Sequence, residues 1–261
     1  MVLERLVSAK EVLKDPLKAF TLGIVISLIA LFIASTVFPK STGLFTVIII
    51  TIASVPLMNR VLRYEQVEDE KLLEAGHSFF EIYGDIILAY TSFFGGMILA
   101  MSLLFVLLPE NVAQKIFDEQ INEINIIRGK FEFDNKFLEI VVNNLSVLAL
   151  SFLFSFLFGS GAIFILSWNA SVLSAAIGLI AKSSGGVKAM PSAVMMFLPH
   201  GTFEIGAYFI GAIAGGLVSA ALTRRGSMRF SSVIFDSFKL LLIAFLFILI
   251  GGFIETLMIM V

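Results

Sequence analysis

Residues 20–38 read FTLGIVISLIALFIASTVF, a run without a charged side chain. About 20 consecutive apolar residues are enough for an α-helix to cross the hydrocarbon core of a bilayer. The whole chain shares this character, because 58% of its 261 residues are hydrophobic and only 15% are charged. Soluble domains have about 25% charged residues. The sequence therefore predicts an all-α polytopic transmembrane bundle, with residues 1–261 forming one integral membrane domain.

Further apolar stretches of spanning length follow the first one, separated by prolines, glycines and charged segments. One of them, from residue 137 to residue 181, is too long for a single span, so we expect it to fold into a hairpin at Gly159–Gly161. Amphipathic patterns in 1–18, 70–83 and 110–128 predict interfacial helices, and His77 is interpreted as a surface residue of the second. The seven predicted spans are 18–38, 42–58, 84–108, 138–158, 161–181, 199–222 and 234–260.

The placement of lysine and arginine predicts the orientation in the cell membrane. With the N-terminus inside, the segments 1–18, 59–83 and 223–233 place ten of these residues on the inner side. The short outer loops then contain three, Lys40, Lys182 and Lys188. Positive charges favour the inner side. We therefore expect an inside N-terminus, an outside C-terminus and an extracytoplasmic loop over 109–137.

Several classes of function and processing are excluded or disfavoured by composition. The chain has no cysteine, which excludes disulfides and thiolate metal sites. A net charge of -2 without a large basic patch gives no indication of nucleic acid as a partner. The basic first segment lacks a clear cleavage site, so we expect no cleaved signal peptide. Neither a His-Glu-x-x-His nor a Gly-x-Ser-x-Gly motif is present.

Polar side chains recur at one predicted level, between the midplane and the outer face of the bundle. They come from four different spans. Ionisable groups within a membrane are costly and normally face the bundle interior, where they pair with one another. Pro199 suits the first position of a helix, so the sixth span is expected to begin near His200, with Met190–Leu198 as a separate re-entrant or interfacial piece. The residues predicted to converge are Asn144, Asn169, His200, Glu204 and Glu255.

Four interpretations of this polar cluster stay open. Hydrogen bonds between spans would make it structural, without a ligand. An ion or proton path is the second interpretation. In the third, His200, Glu204 and Glu255 form a metal site, because imidazole and carboxylate are normal zinc ligands. Hydrolytic chemistry is the fourth. No cofactor is otherwise expected, so a divalent metal such as zinc is the one candidate.

Small residues at helical spacing predict close helix contacts. Ala207, Gly211, Gly215 and Ser219 form a ladder on the sixth span, which favours close approach of backbones in lipid. A similar stripe lies on the fifth span, and Gly251-Gly252 lies in the seventh. We expect these three spans to pack together. The ladder is interpreted as a contact within the monomer in preference to a homodimer interface.

The run Leu198-Pro199-His200-Gly201-x-Phe203-Glu204, followed by the small-residue stretch Gly206–Gly216, resembles the stage II sporulation protein M family. Asn144, Asn169 and Glu255 are similar to the family as well, and the resemblance covers roughly 140–258. It implies an integral membrane protein. Sporulating bacterial members of the family act as scaffolds that hold cell-wall hydrolases at the engulfing membrane.

The expected function is therefore a non-enzymatic membrane scaffold or organiser, with the lipid bilayer and a membrane or extracytoplasmic protein as partners. A transporter or channel-like protein with an intramembrane ion or proton site is the first alternative. A metal-dependent intramembrane enzyme is the second.

Overall fold

The computed structural model describes residues 8–74, 79–130, 136–223 and 230–260, with side chains over 8–62, 83–127, 136–222 and 233–259. The described residues form α-helices and one 3-10 turn, without a strand. This confirms the all-α prediction. The helices are α1 (Ala9–Lys14), α2 (Pro16–Val37), α3 (Thr42–Glu74), α4 (Phe79–Leu107), α5 (Glu110–Ile116), α6 (Asp118–Lys130), α7 (Lys136–Phe158), α8 (Ala162–Ser183), α9 (Met190–Thr223) and α10 (Phe230–Met260).

Seven stretches of the described chain are long and apolar enough to cross a membrane, which confirms the predicted number of spans. The hairpin between the fourth and fifth spans also lies where glycine predicted it. Gly159 has φ +74°, a left-handed conformation that side chains other than glycine rarely adopt. The spans are Pro16–Val37, Thr42–Leu62, Tyr83–Leu107, Lys136–Phe158, Ala162–Ser183, Gly186–Leu222 and Val233–Ile259.

The spans pack as two groups joined by α8. Helix α2 packs against α3 and α4, and helix α9 packs against α7 and α10. Helix α8 lies between the groups and contacts α3 and α4 on one side and α7 and α9 on the other. Half of its spanning segment is buried, compared with 56% for those of α4 and α9 and 22% for that of α10. The interior of the bundle therefore lies around α4, α8 and α9, and α10 is at the perimeter.

The expectation that a separate helix begins at His200 is wrong. Helix α9 runs without a break from Met190 to Thr223, and Pro199 lies inside it. Proline is tolerated within membrane helices because neighbouring groups satisfy the backbone atoms that it frees. The backbone N–H groups near His200 therefore belong to a continuing helix and do not form an exposed N-terminus. With 34 residues, α9 is about 51 Å long, well beyond a hydrocarbon core of about 30 Å.

The connector between the third and fourth spans consists of two helices packed on the bundle. Helices α5 and α6 meet at Phe117, so the single amphipathic helix expected over 110–128 is divided there. Phe117 and Gln120 are fully buried, and Ile124 is nearly so. Glu119 accepts a hydrogen bond from the backbone N–H of Gly43, at 3.1 Å. We call the end of the bundle that carries α5 and α6 the connector end.

The other predicted interfacial helices have different outcomes. Helix α1 occupies part of the 1–18 segment and buries Val12 and Leu13 against the bundle. Within 70–83, α3 continues to Glu74 and α4 begins at Phe79. Most of the amphipathic pattern expected there, with His77, lies outside the described residues.

Candidate functional site

One face of α9 presents three polar side chains in successive turns. His200, Glu204 and Tyr208 are four residues apart, which places them one above another on a helix. Although the surrounding sequence is apolar, His200 is 9% exposed and Tyr208 is 6% exposed. Buried polar groups in lipid require partners, and neighbouring helices supply partners for these side chains.

Helix α7 supplies the first partner. The Nδ2 of Asn144 donates a hydrogen bond to Glu204 Oε1 at 2.7 Å. The Asn144 Oδ1 accepts one from the Tyr208 hydroxyl, also at 2.7 Å. Asn144 therefore joins two residues of α9, and both functions of its amide are used. The adjacent Asn143 donates a longer bond, 3.4 Å, to the same oxygen.

Helix α10 supplies a second carboxyl group. The carboxyl groups of Glu204 and Glu255 approach each other, with an oxygen atom of each within 4.8 Å. Gly251, one turn before Glu255, makes this approach feasible. A Cβ at Gly251 would lie 2.8 Å from Glu204 Cγ and 3.3 Å from the His200 carbonyl oxygen. Glycine at this position thus allows α10 to lie directly against the polar face of α9.

His200, Glu204 and Glu255 each have a potential ligand atom, and these atoms all lie within 4.8 Å of one another. Four of the five residues expected to converge, these three and Asn144, form one contiguous cluster. Asn169 lines the same cavity, but its Nδ2 donates to the Ile165 carbonyl of its own helix at 2.8 Å. It is therefore beside the cluster and not bonded into it.

The Nδ1 atom of His200 is buried and has no hydrogen-bond partner among the described residues. The imidazole otherwise meets the ring of Phe197 edge-on, with ring centroids 6.0 Å apart. An unpaired ring nitrogen in an apolar interior is unfavourable by about 1–3 kcal/mol. The side chain is thus incompletely satisfied in a cluster where Asn144 is fully bonded.

A cavity of about 490 Å³ adjoins the cluster. It extends from the polar face of α9 across to α4, α6 and α8, toward the connector end. The described residues that line it include no lysine or arginine, so neither carboxyl group has a basic partner there. Two adjacent carboxylates without a counter-charge repel each other, and either a shared proton or a bound cation relieves that repulsion. Three ligands of the His, Glu, Glu type beside an open space match the pattern of a metal site with a free coordination position.

The small-residue ladder of α9 faces α7. A Cβ on Gly211 would overlap the Leu148 side chain, and one on Gly215 would overlap the backbone carbonyl of Phe152. Ala207 is fully buried, and Ser219 is partly buried. The ladder therefore packs within the monomer, and its partner is the fourth span, which was not among the three spans expected to pack together. Gly178 of the fifth span lies against α4, where a Cβ would overlap the Phe105 side chain.

Sequence reasoning missed Tyr208. Tyr208 continues the four-residue spacing from His200 through Glu204, and that spacing was the available signal. Gly251 was named only as a small residue of the seventh span, although it precedes Glu255 by the same interval. A second omission is the crossing of α2 and α4 at Gly23 and Gly96, although Ala19, Gly23 and Ser27 repeat at the same four-residue spacing.

Comparisons with known proteins agree with this architecture. The family model described as Stage II sporulation protein M matches residues 29–258. The match extends well beyond the expected 140–258 and includes most of the first two spans. The chain is also similar to an uncharacterized protein of Methanocaldococcus jannaschii, with 29% identity over 164 residues, or 61% of this chain and 88% of that protein. The comparison with solved structures found no match. The chain belongs to the stage II sporulation protein M family of integral membrane proteins.

Proposed function

We propose that this protein is an integral membrane metalloprotein that binds one divalent cation, zinc by preference, through His200, Glu204 and Glu255. The observation that carries the proposal is the unpartnered, buried Nδ1 of His200 beside two carboxyl groups that lack a basic partner. A divalent cation would satisfy the imidazole and balance both carboxylates at once. Imidazole nitrogen and carboxylate oxygen are ordinary zinc ligands.

Asn144 and Tyr208 support the site from behind. Asn144 donates to Glu204, and Tyr208 donates to Asn144, so the carboxylate is held by a chain of two hydrogen bonds. Partners of this kind orient metal ligands, and their loss typically lowers metal affinity about 10- to 100-fold. The remaining coordination position would face the cavity.

Metal content tests the proposal directly. The protein is purified in detergent without chelators, equilibrated with zinc, desalted and analysed by mass spectrometry for metal. About one zinc per chain is expected for the parent, and less than about a tenth of that for His200→Ala and Glu255→Ala. Asn169→Ala is the matched control, because Asn169 lines the cavity without joining the cluster. Equal zinc content in the parent and His200→Ala would overturn the proposal.

A structural scaffold is the second candidate, supported by the family resemblance and by the bonds that join helices. Asn144 connects α7 to α9 by its hydrogen bond to Glu204, and Glu255 of α10 lies close to the same carboxyl group. If the cluster only holds helices together, His200→Ala and Glu204→Gln both lower the melting temperature, and added zinc changes nothing. If it binds metal, zinc raises the melting temperature of the parent and not of these variants.

An ion or proton path is the remaining alternative. The buried serines Ser151 and Ser155 continue the face of α7 that carries Asn144, and neither hydroxyl has a partner among the described residues. Reconstituted vesicles loaded with a pH-sensitive dye test this alternative. Zinc-independent proton flux that Glu204→Gln abolishes would favour transport over static metal binding.

The orientation in the membrane is also part of the proposal. We infer an inside N-terminus, which places the connector end and the cavity toward the extracytoplasmic side. The chain lacks cysteine, so single substitutions Lys14→Cys and Lys188→Cys introduce unique labels at exposed positions. A membrane-impermeant maleimide applied to intact cells should label Lys188→Cys and leave Lys14→Cys unmodified. The opposite pattern would reverse the orientation.

A further inference from the structure

The cavity is lined by polar and apolar side chains that come from different helices. The lining residues of α7, α9 and α10 include Asn144, His200, Glu204, Tyr208 and Glu255. The lining residues of α4, α6 and α8 are apolar except for Asn169, whose amide nitrogen bonds its own helix. Representative apolar lining residues are Phe94, Ile98, Ile124, Leu166, Leu173 and Ala176.

Packed aromatic rings from α4 and α9 border the cavity. Phe94 and Phe209 line the cavity and stack with centroids 5.7 Å apart, and Tyr90 meets Phe209 edge-on at the same separation. Both phenylalanines are almost fully buried. The cavity is therefore bounded by well-packed side chains on α4 and α9.

A metal ion with its water ligands is too small for this space. Three waters, at about 30 Å³ each, take up about 90 Å³, whereas the cavity measures about 490 Å³. Water fills cavities that offer it two to four polar partners, and apolar cavities stay dry or take apolar ligands. The walls on α4, α6 and α8 offer few such partners. The volume also lies within the range of about 300–1,000 Å³ that is usual for small-molecule sites.

Helix α10 offers the cavity a boundary near the bilayer. Ile259 lines the cavity and is 41% exposed, and α10 is the least buried of the spans. A hydrocarbon chain in the surrounding lipid is thus separated from the cavity by the end of one perimeter helix. An apolar occupant would reach the site without passing through water.

We propose that the natural ligand of this site is a single-chain amphiphile, with an oxygen-donor head group at His200, Glu204 and Glu255 and a hydrocarbon chain against α4, α6 and α8. This inference rests on the proposed metal site, because the metal would supply the bond to the head group. Polar side chains from α7, α9 and α10 and apolar side chains from α4, α6 and α8 line one cavity, which matches the two parts of such a molecule. No chemical change of the ligand is implied.

Alkyl hydroxamates test the inference, because their head group binds metal and their chain length is adjustable. The full-length protein in detergent is loaded with Co²⁺, and visible absorption of the metal reports binding of acetohydroxamate or decanoyl hydroxamate. Ala176→Phe places a ring inside the cavity, on the wall away from the metal. Ala149→Phe, at an exposed position on α7, is the matched control for the added ring. Partition of the long chain into detergent is the same for every protein and cancels in the comparison.

The parent and Ala149→Phe should bind decanoyl hydroxamate roughly tenfold or more tightly than acetohydroxamate. In Ala176→Phe this preference should disappear while the affinity for acetohydroxamate stays within about twofold. Val172→Phe, from the same lining, replaces Ala176→Phe if that variant does not fold. A chain-length preference that survives in the cavity-filled variant would overturn the amphiphile proposal alone. Absence of bound Co²⁺ in the parent would overturn the metal site and this inference with it.

Discussion

Two helix contacts in this bundle are built in opposite ways. Where α2 crosses α4, Gly23 lies against the backbone of Phe93 and Gly96 lies against the backbone of Phe20, so a Cβ on either glycine would overlap a carbonyl oxygen. Where α9 meets α7 at the polar cluster, hydrogen-bonded side chains join the helices and a cavity of about 490 Å³ adjoins them.

The difference shows how a membrane protein creates a site. Apolar side chains gain little by leaving lipid for a helix contact, so close packing and hydrogen bonds hold the spans together. The reciprocal glycines give the first contact close backbone packing. The polar cluster gives the second contact specific bonds that do not fill the space between helices. One region therefore stabilises the bundle, and the other is available for a ligand.

The largest effect is expected at the reciprocal glycine contact. Gly96→Ala should lower the free energy of unfolding by about 3 kcal/mol, because the new methyl group meets rigid backbone and not a flexible side chain. Thermal or denaturant unfolding in micelles measures the change. Gly95→Ala is the matched control, since its Cβ would lie 3.7 Å from the Phe20 ring. It should be neutral or stabilising by up to about 1 kcal/mol. Equal effects of both substitutions would contradict the backbone contact.

The polar region should respond to zinc where the glycine contact does not. At a free zinc concentration 100 times the Kd, binding stabilises the parent by about 2.7 kcal/mol. The melting temperature with and without zinc measures this gain. His200→Ala should lose the gain, because it lacks the only nitrogen ligand. Gly95→Ala should keep it, since Gly95 faces Phe20 of α2 and does not line the cavity. A gain retained in His200→Ala would place zinc elsewhere.

A smaller effect is expected from the hydrogen bond behind the cluster. Tyr208→Phe removes the donor to Asn144 and should lower zinc affinity about tenfold, because Asn144 then holds Glu204 less firmly. Competition with a chromogenic chelator measures the affinity. Tyr90→Phe is the control, since Tyr90 is also buried but does not line the cavity. If both variants bind zinc as the parent does, Tyr208 does not support the site.

The smallest effect concerns the end of α4, where neither kind of contact applies. The Lys182 Nζ of α8 donates to the carbonyl oxygens of Leu108 and Phe105, at 2.6 and 3.3 Å, and lies 3.3 Å from Glu110 Oε2. Lys182→Met should destabilise the protein by about 1 kcal/mol, because carbonyl groups at a helix end lose a charged donor. Lys188→Met, at an exposed position, should have no effect on the same unfolding measurement. A neutral Lys182→Met would show that water replaces the lysine.

Length and hydropathy were sufficient to predict the spans, because an uncharged run such as 20–38 has few alternatives to crossing a bilayer. The spacing of His200 and Glu204 also indicated a shared face, because that face is a property of any α-helix. Pro199 led to a wrong prediction of a helix start near His200, because proline is common at the first position of helices but is also tolerated inside membrane helices.

Other features depend on how helices pair, which sequence spacing does not record. The ladder at Gly211 and Gly215 indicated a close contact but not its partner, which is α7. Gly23 and Gly96 lie in different spans, and the backbone that each one meets follows from the crossing of α2 and α4. The cavity likewise results from the packing of α4, α6 and α8 around α9. A single sequence does not contain those distances.

The proposed metal centre is tested most directly by X-ray absorption at the zinc edge on the purified, zinc-equilibrated protein. We expect nitrogen and oxygen ligands at about 2.0–2.2 Å from the metal, with outer-shell scattering from one imidazole. That imidazole signal should be absent in His200→Ala. A spectrum of fully hydrated zinc, or one identical in the parent and His200→Ala, would contradict a metal centre at His200, Glu204 and Glu255.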